Sequence, residues 1–221
     1  ISLWDGKLPP AWSDGGSSAY LLGTDNQGRD MLSTILYGGR ISILVGIAAV
    51  FLGMLLGVTL GVISGYFGGF TDTVIMRIAD VQLTIPGILV AILINGIGRA
   101  ALPLELREEF AIYVVIVAIG LTDWPQFARV ARGATLVEAE KEYVQAAKLI
   151  GLPKITIILR HILPNTLRPV LVIATIGLAL AIIAEATLSL LGQGIPPTTP
   201  SLGTLIRVGN EFLFSGLWWI T

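Results

Sequence analysis

Residues 41–65 form a run of 25 residues without a charged side chain. A spanning helix needs about 20 apolar residues at roughly 1.5 Å each, so this run is the clearest membrane crossing in the sequence. The whole chain shares its character, with 54% hydrophobic residues, 13% charged and a mean hydropathy of +0.81, where soluble proteins carry roughly 25% charged residues. The expected fold is all-α, a polytopic helical membrane protein. Within the crossing, Gly53, Gly57, Gly61 and Gly65 recur at every fourth position. Overlapping GxxxG units let a neighbouring helix backbone approach closely, which is also what general packing in a multispan protein uses.

Residues 74–98 are expected to form a second crossing, with Arg77 and Asp80 near an interface. Pro86 and Gly87 predict a kink or local unwinding there, because proline removes a helical hydrogen bond. The apolar run 110–121 is too short to span alone and is expected to continue as helix through Trp124, shielded by protein where Asp123 and Arg129 sit. Residues 170–191 read as a further crossing with one charge, Glu185. A Pro-rich loop, 192–200, follows, and Phe212 is expected to begin a last crossing. Of the 14 Lys and Arg residues, 7 lie within 122–168, which marks that loop as the expected cytoplasmic face. Helix parity then places 1–40, 99–109 and 192–211 outside, with Arg40 running against the charge bias. Residues 1–40 form an expected extracytoplasmic segment in which Asp25 and Asp30 serve as turn and cap residues. Residues 41–221 form the transmembrane domain, and the protein is expected to continue beyond both ends.

The basic loop carries the sharpest pattern. Leu136, Val137, Tyr143, Val144, Ala147 and Ile150 recur at spacings near three and four, giving one helical face for burial. Glu138, Glu140, Lys141 and Lys148 fall on the remainder. Gly151 and Pro153 are the residues that end a helix: a glycine just past its C-terminus and a proline soon after. A second helix over 154–163 is expected to stop at Pro164, leaving Asn165 or Thr166 to cap the next span. The result is a helix-break-helix elbow over residues 142–165. It suits either docking of a cytoplasmic partner or an amphipathic helix lying on anionic membrane lipid.

These residues resemble a known family. Gln145-Ala146-Ala147, Gly151 and then Ile162-Leu163-Pro164 are similar to the EAA loop of permease subunits of binding-protein-dependent ATP-binding-cassette importers. Leu22-Gly23-Thr24-Asp25, Gly28-Arg29-Asp30, Tyr37, Arg40-Ile41-Ser42, Glu142-Tyr143-Val144, Arg160-His161 and Glu185-Ala186 narrow the resemblance to the C-type permease of the dipeptide, oligopeptide and nickel group. It runs from about Leu22 to the end of the sequence. It implies the type I importer permease (MetI-like) fold with six spans, the first lying upstream of this sequence, in a bacterial or archaeal cytoplasmic (inner) membrane. It implies as partners a homologous permease subunit, two cytoplasmic ATPase subunits that hold ATP and Mg, and an extracytoplasmic substrate-binding protein. The elbow would then be the coupling element, with Glu142, Gln145, Ala146, Ala147, Lys148, Gly151, Leu152, Pro153, Arg160, His161 and Pro164 as its contact residues. Gln145 stands where the family motif has glutamate, and Glu142 offers an acid one turn earlier. The implied cargo is a peptide; a nickel chelate, glutathione or another small solute belongs to the same class. A membrane scaffold that docks a cytoplasmic partner without transport is the reading from another class.

Within the spans, Glu185 is the main ionisable group, because an intramembrane carboxylate is costly and faces protein or water. Its place toward the outer side suits a helix-helix hydrogen bond or an outer gate. Asn95, with Gln82 and Thr84, is a polar candidate for either packing or the translocation pathway. No GxxxxGK[ST] loop is present to hold nucleotide phosphates. With no cysteine and one histidine, there is no nucleophile system and no His/Cys metal cluster, so neither catalytic nor metal-binding residues nor a cofactor of its own are assigned. A net charge of -1, with the basic residues localised in one loop, gives no reason to expect nucleic acid.

Overall fold

The computed structural model describes residues 5–196 and 198–220. Residues 1–4 of the N-terminal segment, Pro197 of the Pro-rich loop and Thr221 lie outside the described residues. The helices are α1 (Met31–Phe67), α2 (Gly69–Thr84), α3 (Gly87–Ala101), α4 (Ala111–Ala139), α5 (Glu142–Leu149), α6 (Lys154–Ile157), α7 (Leu163–Leu190) and α8 (Leu202–Phe212). Among the described residues no strand forms; Thr24 and Asp30 make one isolated bridge. Three stretches are long and apolar enough to cross a membrane, Met31–Phe67, Ala111–Ala139 and Lys154–Leu190, and α2 with α3 makes up to a fourth.

The kink expected at Pro86 and Gly87 is a sharp break: α2 and α3 meet at 100° across Ile85 and Pro86. Pro86 disfavours helical geometry at the residue before it, and Ile85 is extended at φ -93°, ψ 132°. The segment after Gly151 does not stop at Pro164. Instead Ile158–Ile162 widens into a π-helical turn that runs directly into α7. Pro164 has no N–H for the Arg160 carbonyl, and a widened turn just before it absorbs that missing bond. Asn165 and Thr166 therefore sit inside a helix and cap nothing. Finally, Phe212 ends α8, and residues 213–220 form no further helix, only turns at 213–216 and 218–220. Ser201 fixes that helix earlier, through a capping box in which its Oγ accepts from the Thr204 N–H at 3.1 Å while Thr204 Oγ1 accepts from the Ser201 N–H at 2.8 Å.

The chain divides into two compact units, one of Ile1–Val45, Gly98–Val115 and Ile182–Thr221, the other of Gly46–Ile97 and Ile116–Ala181. In the first, the N-terminal segment is organised by Asp25. This buried carboxylate accepts from the N–H groups of Gln27 (2.8 Å) and Arg29 (2.9 Å) and pairs with Arg29 Nε at 2.6 Å. Asp30 caps α1 by accepting from the Ser33 N–H at 2.9 Å.

In the second unit the glycine ladder of α1 lies against α4. A β-carbon added to Gly57 would stand 2.5 Å from the Trp124 carbonyl oxygen, and one on Gly65 2.9 Å from that of Arg132. Only glycine permits this approach, and in lipid such close van der Waals packing does what hydrophobic burial does in water. Pro125 lies inside α4 and leaves the Leu121 carbonyl without its helical donor. Gln82 of α2 fills that role: its Nε2 donates to Leu121 O at 2.7 Å and Thr122 O at 3.1 Å, while its Oε1 accepts from Trp124 Nε1 at 3.0 Å. Asp72 adds a further tie, receiving Arg132 at 2.5 and 2.6 Å and the Ser64 hydroxyl at 2.5 Å.

Candidate functional site

The elbow is built by a complete Schellman turn. Helix α5 ends at Leu149 with Ile150 as its C-cap, Gly151 takes φ +83°, its N–H donates to Lys148 O at 3.0 Å, and the Leu152 N–H reaches back to Ala147 O at 3.1 Å. These two bonds satisfy the carbonyls that a helix end leaves open, and the left-handed conformation explains why glycine stands there. Pro153 then starts α6, its carbonyl accepting from the Thr156 and Ile157 N–H groups.

Burial on the elbow follows the face predicted by periodicity only in part. Val144 and Ala147 are buried with Ala139, Ile157 and Ile162 in one cluster against Tyr66. Leu136, Val137, Tyr143 and Ile150 lie outside that core and are exposed. The helix turns its other apolar side outward, leaving Leu149 89% and Ile150 79% exposed, with Leu152 beside them. Apolar side chains this bare on a rigid turn make a docking ridge or a lipid contact. Lys148 lies 5.8 Å over the Tyr66 ring and Lys154 5.6 Å over Phe67, which fixes the orientation of both ammonium groups.

The candidate residues take distinct places. Glu142 opens α5 and is exposed, as are Ala146, Arg160 and Pro164. Gln145 is half-buried, and its Nε2 donates to the Ala139 carbonyl at 2.8 Å, closing the end of α4. An ionised glutamate has no hydrogen to give that carbonyl, so the amide at this position has a local reason. His161 takes part through its carbonyl, which accepts from Asn165 Nδ2 at 3.0 Å. Asn165 also donates to Tyr143 Oη at 3.1 Å, and the Tyr143 hydroxyl donates to Glu138, tying α7, α5 and α4 together. Sequence reasoning missed this Tyr143-Asn165 tie, because two residues 22 positions apart carry no periodic signal.

In the other unit Glu185 is fully buried and surrounded by hydroxyls. Its Oε1 accepts from Ser189 at 2.8 Å and Ser201 at 2.9 Å, and its Oε2 from Ser42 at 2.8 Å. Ser42 also receives the Leu202 N–H at 3.1 Å, so the carboxylate binds α1, α7 and the start of α8. Asn95 on α3 is likewise fully buried. Among the described residues, no three His, Asp or Glu side chains come together as metal ligands.

Residues 57–220 match the family of binding-protein-dependent transport system inner membrane components. The chain belongs to this family. A dipeptide transport system permease protein of Haemophilus influenzae is 40% identical over 97% of this chain and 69% of its own length. One of Escherichia coli K12 is 41% identical over 96% of the chain and 68% of its own length. A di/tripeptide transport system permease protein of Pseudomonas aeruginosa is 32% identical over 96% and 66%. The chain thus spans about two thirds of the length of these relatives.

Membership gives the inner membrane as the location of this transport component and accounts for its apolar helices. It also accounts for a scaffold of tightly packed glycines and plugged carbonyls, since backbone groups in lipid have no water to pair with. The most apolar window of Lys154–Leu190 is only 11% buried, against 50% for Ala111–Ala139. Most of that stretch is therefore left open to lipid or to another subunit.

Proposed function

We propose that this chain is the membrane-spanning permease subunit of an ATP-driven peptide importer. It pairs with a homologous permease to form the pathway, receives peptide from an extracytoplasmic binding protein, and engages two cytoplasmic ATPase subunits through the elbow at 142–165. ATP and Mg belong to those partners. The observation that carries the coupling role is the bare Leu149-Ile150 ridge held on the Schellman turn. A rigid apolar protrusion suits a groove on a moving partner, and Glu142, Lys148 and Arg160 are exposed charges on the same elbow. The peptide cargo follows from the relatives, whose names assign them dipeptides and tripeptides.

Uptake measures it directly. The full-length subunit is reconstituted with its partner permease, ATPases and binding protein in vesicles, and labelled dialanine is supplied outside with ATP on the ATPase side. Accumulation that requires ATP, the binding protein and this subunit supports the proposal. Transport of a nickel chelate or glutathione in place of peptide would reassign the cargo, and no association with an ATPase would favour the scaffold reading.

A further inference from the structure

Helix α4 is long and apolar enough to cross a membrane and carries a polar stripe: Thr122, Asp123, Gln126 and Arg129 recur at spacings of three and four. Gln126 and Arg129 are exposed and Asp123 is half-buried. A lipid-facing surface of this kind is too costly to persist, so it borders water or another subunit. Two cavities, of about 240 and 380 Å³, share Asp123 and Gln126. The larger opens at the break between α2 and α3, beside Gln82, Thr84, Pro86 and Gly87. The smaller is walled by Phe127, Ile173, Ile176 and Gly177. Polar groups on one side and aliphatic surface on the other suit a small amphiphilic solute.

The charge in these cavities is that of Asp123. Among the described residues its carboxylate has neither a hydrogen bond nor an ion pair. Arg129 is already neutralised, its Nη2 lying 2.5 Å from Asp80 Oδ1. Gln82, which lines the larger cavity, spends its amide on backbone carbonyls and Trp124. The helix ends that meet at the break carry opposite partial charges and offset one another, which leaves the carboxylate to set the sign. An unpaired carboxylate in low dielectric attracts a cation strongly.

We infer that Asp123, with Gln126 beside it, is a contact on the translocation pathway for the ammonium group of the solute, such as the α-amino end of a peptide. The inference rests on the importer reading above. Asp123 supplies the counter-charge, Gln126 a hydrogen-bond partner for a neighbouring carbonyl, and the Phe127-Ile176 wall a surface for apolar side chains. One carboxylate and a tolerant wall bind any short chain with a free amine, whatever its side chains.

Residues 1–221 contain no cysteine, so Asp123→Cys creates a thiol unique within this part of the subunit. In the reconstituted importer, that thiol is treated during ATP turnover with methanethiosulfonates carrying an anionic, a neutral or a cationic group, labelling is read by the mass of this subunit, and dialanine uptake is measured. Asp123→Cys and Asp123→Asn are each expected to lower uptake at least about tenfold, the worth of one charge-assisted hydrogen bond, with ATPase assembly retained. The anionic adduct is expected to recover much of the lost uptake and the cationic adduct to lower it further. Uptake indifferent to the adduct's charge, or a thiol that no water-soluble reagent reaches, would overturn the inference. If the unmodified importer moves no dialanine, the peptide reading fails separately. The thiol's accessibility during turnover still decides then whether Asp123 faces an aqueous path.

Discussion

Gln82 Nε2 donates to the Leu121 carbonyl at 2.7 Å, the acceptor that Pro125 deprives of its helical partner. The amide acts as a plug for a backbone group that would otherwise lie bare in the membrane. Gln82→Ala is expected to destabilise the subunit by roughly 1–3 kcal/mol, the cost of an unsatisfied buried acceptor. Pro125→Ala restores the N–H and should rescue it. Thermal unfolding of the single and double variants in detergent checks the cycle; equal losses with and without Pro125 would contradict it.

The glycine ladder makes an equally specific claim. Gly57→Val places side-chain atoms where the Trp124 carbonyl already stands 2.5 Å from the first added carbon, and overpacking of this kind costs about 1–3 kcal/mol. Gly133, also in α4, has no neighbour within 4 Å of an added β-carbon. Gly133→Ala should therefore stabilise by about 0.5–1 kcal/mol through the unfolded chain. The same unfolding measurement reads both, and equal effects would contradict the packing assignment.

Glu185 holds three hydroxyl donors from Ser42, Ser189 and Ser201. Glu185→Ala leaves all three without their acceptor and opens a cavity, for an expected loss of about 3 kcal/mol. Glu185→Gln keeps the shape and one accepting oxygen, and its loss should be less than half as large. Yield of assembled importer and its melting temperature separate the two. A larger defect in transport than in stability for Glu185→Gln would instead support the gate role.

Much of this was legible in the sequence, and the failures share a cause. The crossing at 41–65, the break at Pro86 and the helix stop at Gly151 each follow from a local property, whether apolar length, a missing N–H or a left-handed φ. The end expected at Pro164 did not occur, because the π-helical turn at 158–162 accommodates a proline that local rules read as a stop. On α5 the expected face holds for Val144 and Ala147 but not for Tyr143 and Ile150, because apolar residues stand on both sides of the helix and packing against Tyr66 and Ile157 chooses between them. Ser42 lies 143 positions from Glu185, so no spacing rule could pair them. The stripe of Asp123, Gln126 and Arg129 was readable at helical spacing, but its meaning needed the cavities.

The turn at Gly151 should behave as a rigid joint. Its φ of +83° makes any side chain unfavourable, and Gly151→Ala is expected to lose about 1–2 kcal/mol. Faster hydrogen exchange at the Leu152 amide, which bonds to Ala147 O, is the expected readout. Unchanged protection there would show that the turn does not depend on glycine.

The most direct test of the coupling claim is ATPase activity of the assembled importer with and without binding protein and dipeptide, comparing wild type with Leu149→Asp and Ile150→Asp. Both side chains are exposed, so the substitutions spare the core of the elbow. A charge on the ridge is expected to abolish stimulation of hydrolysis while the subunit remains folded and in the membrane. Full stimulation in both variants would contradict it.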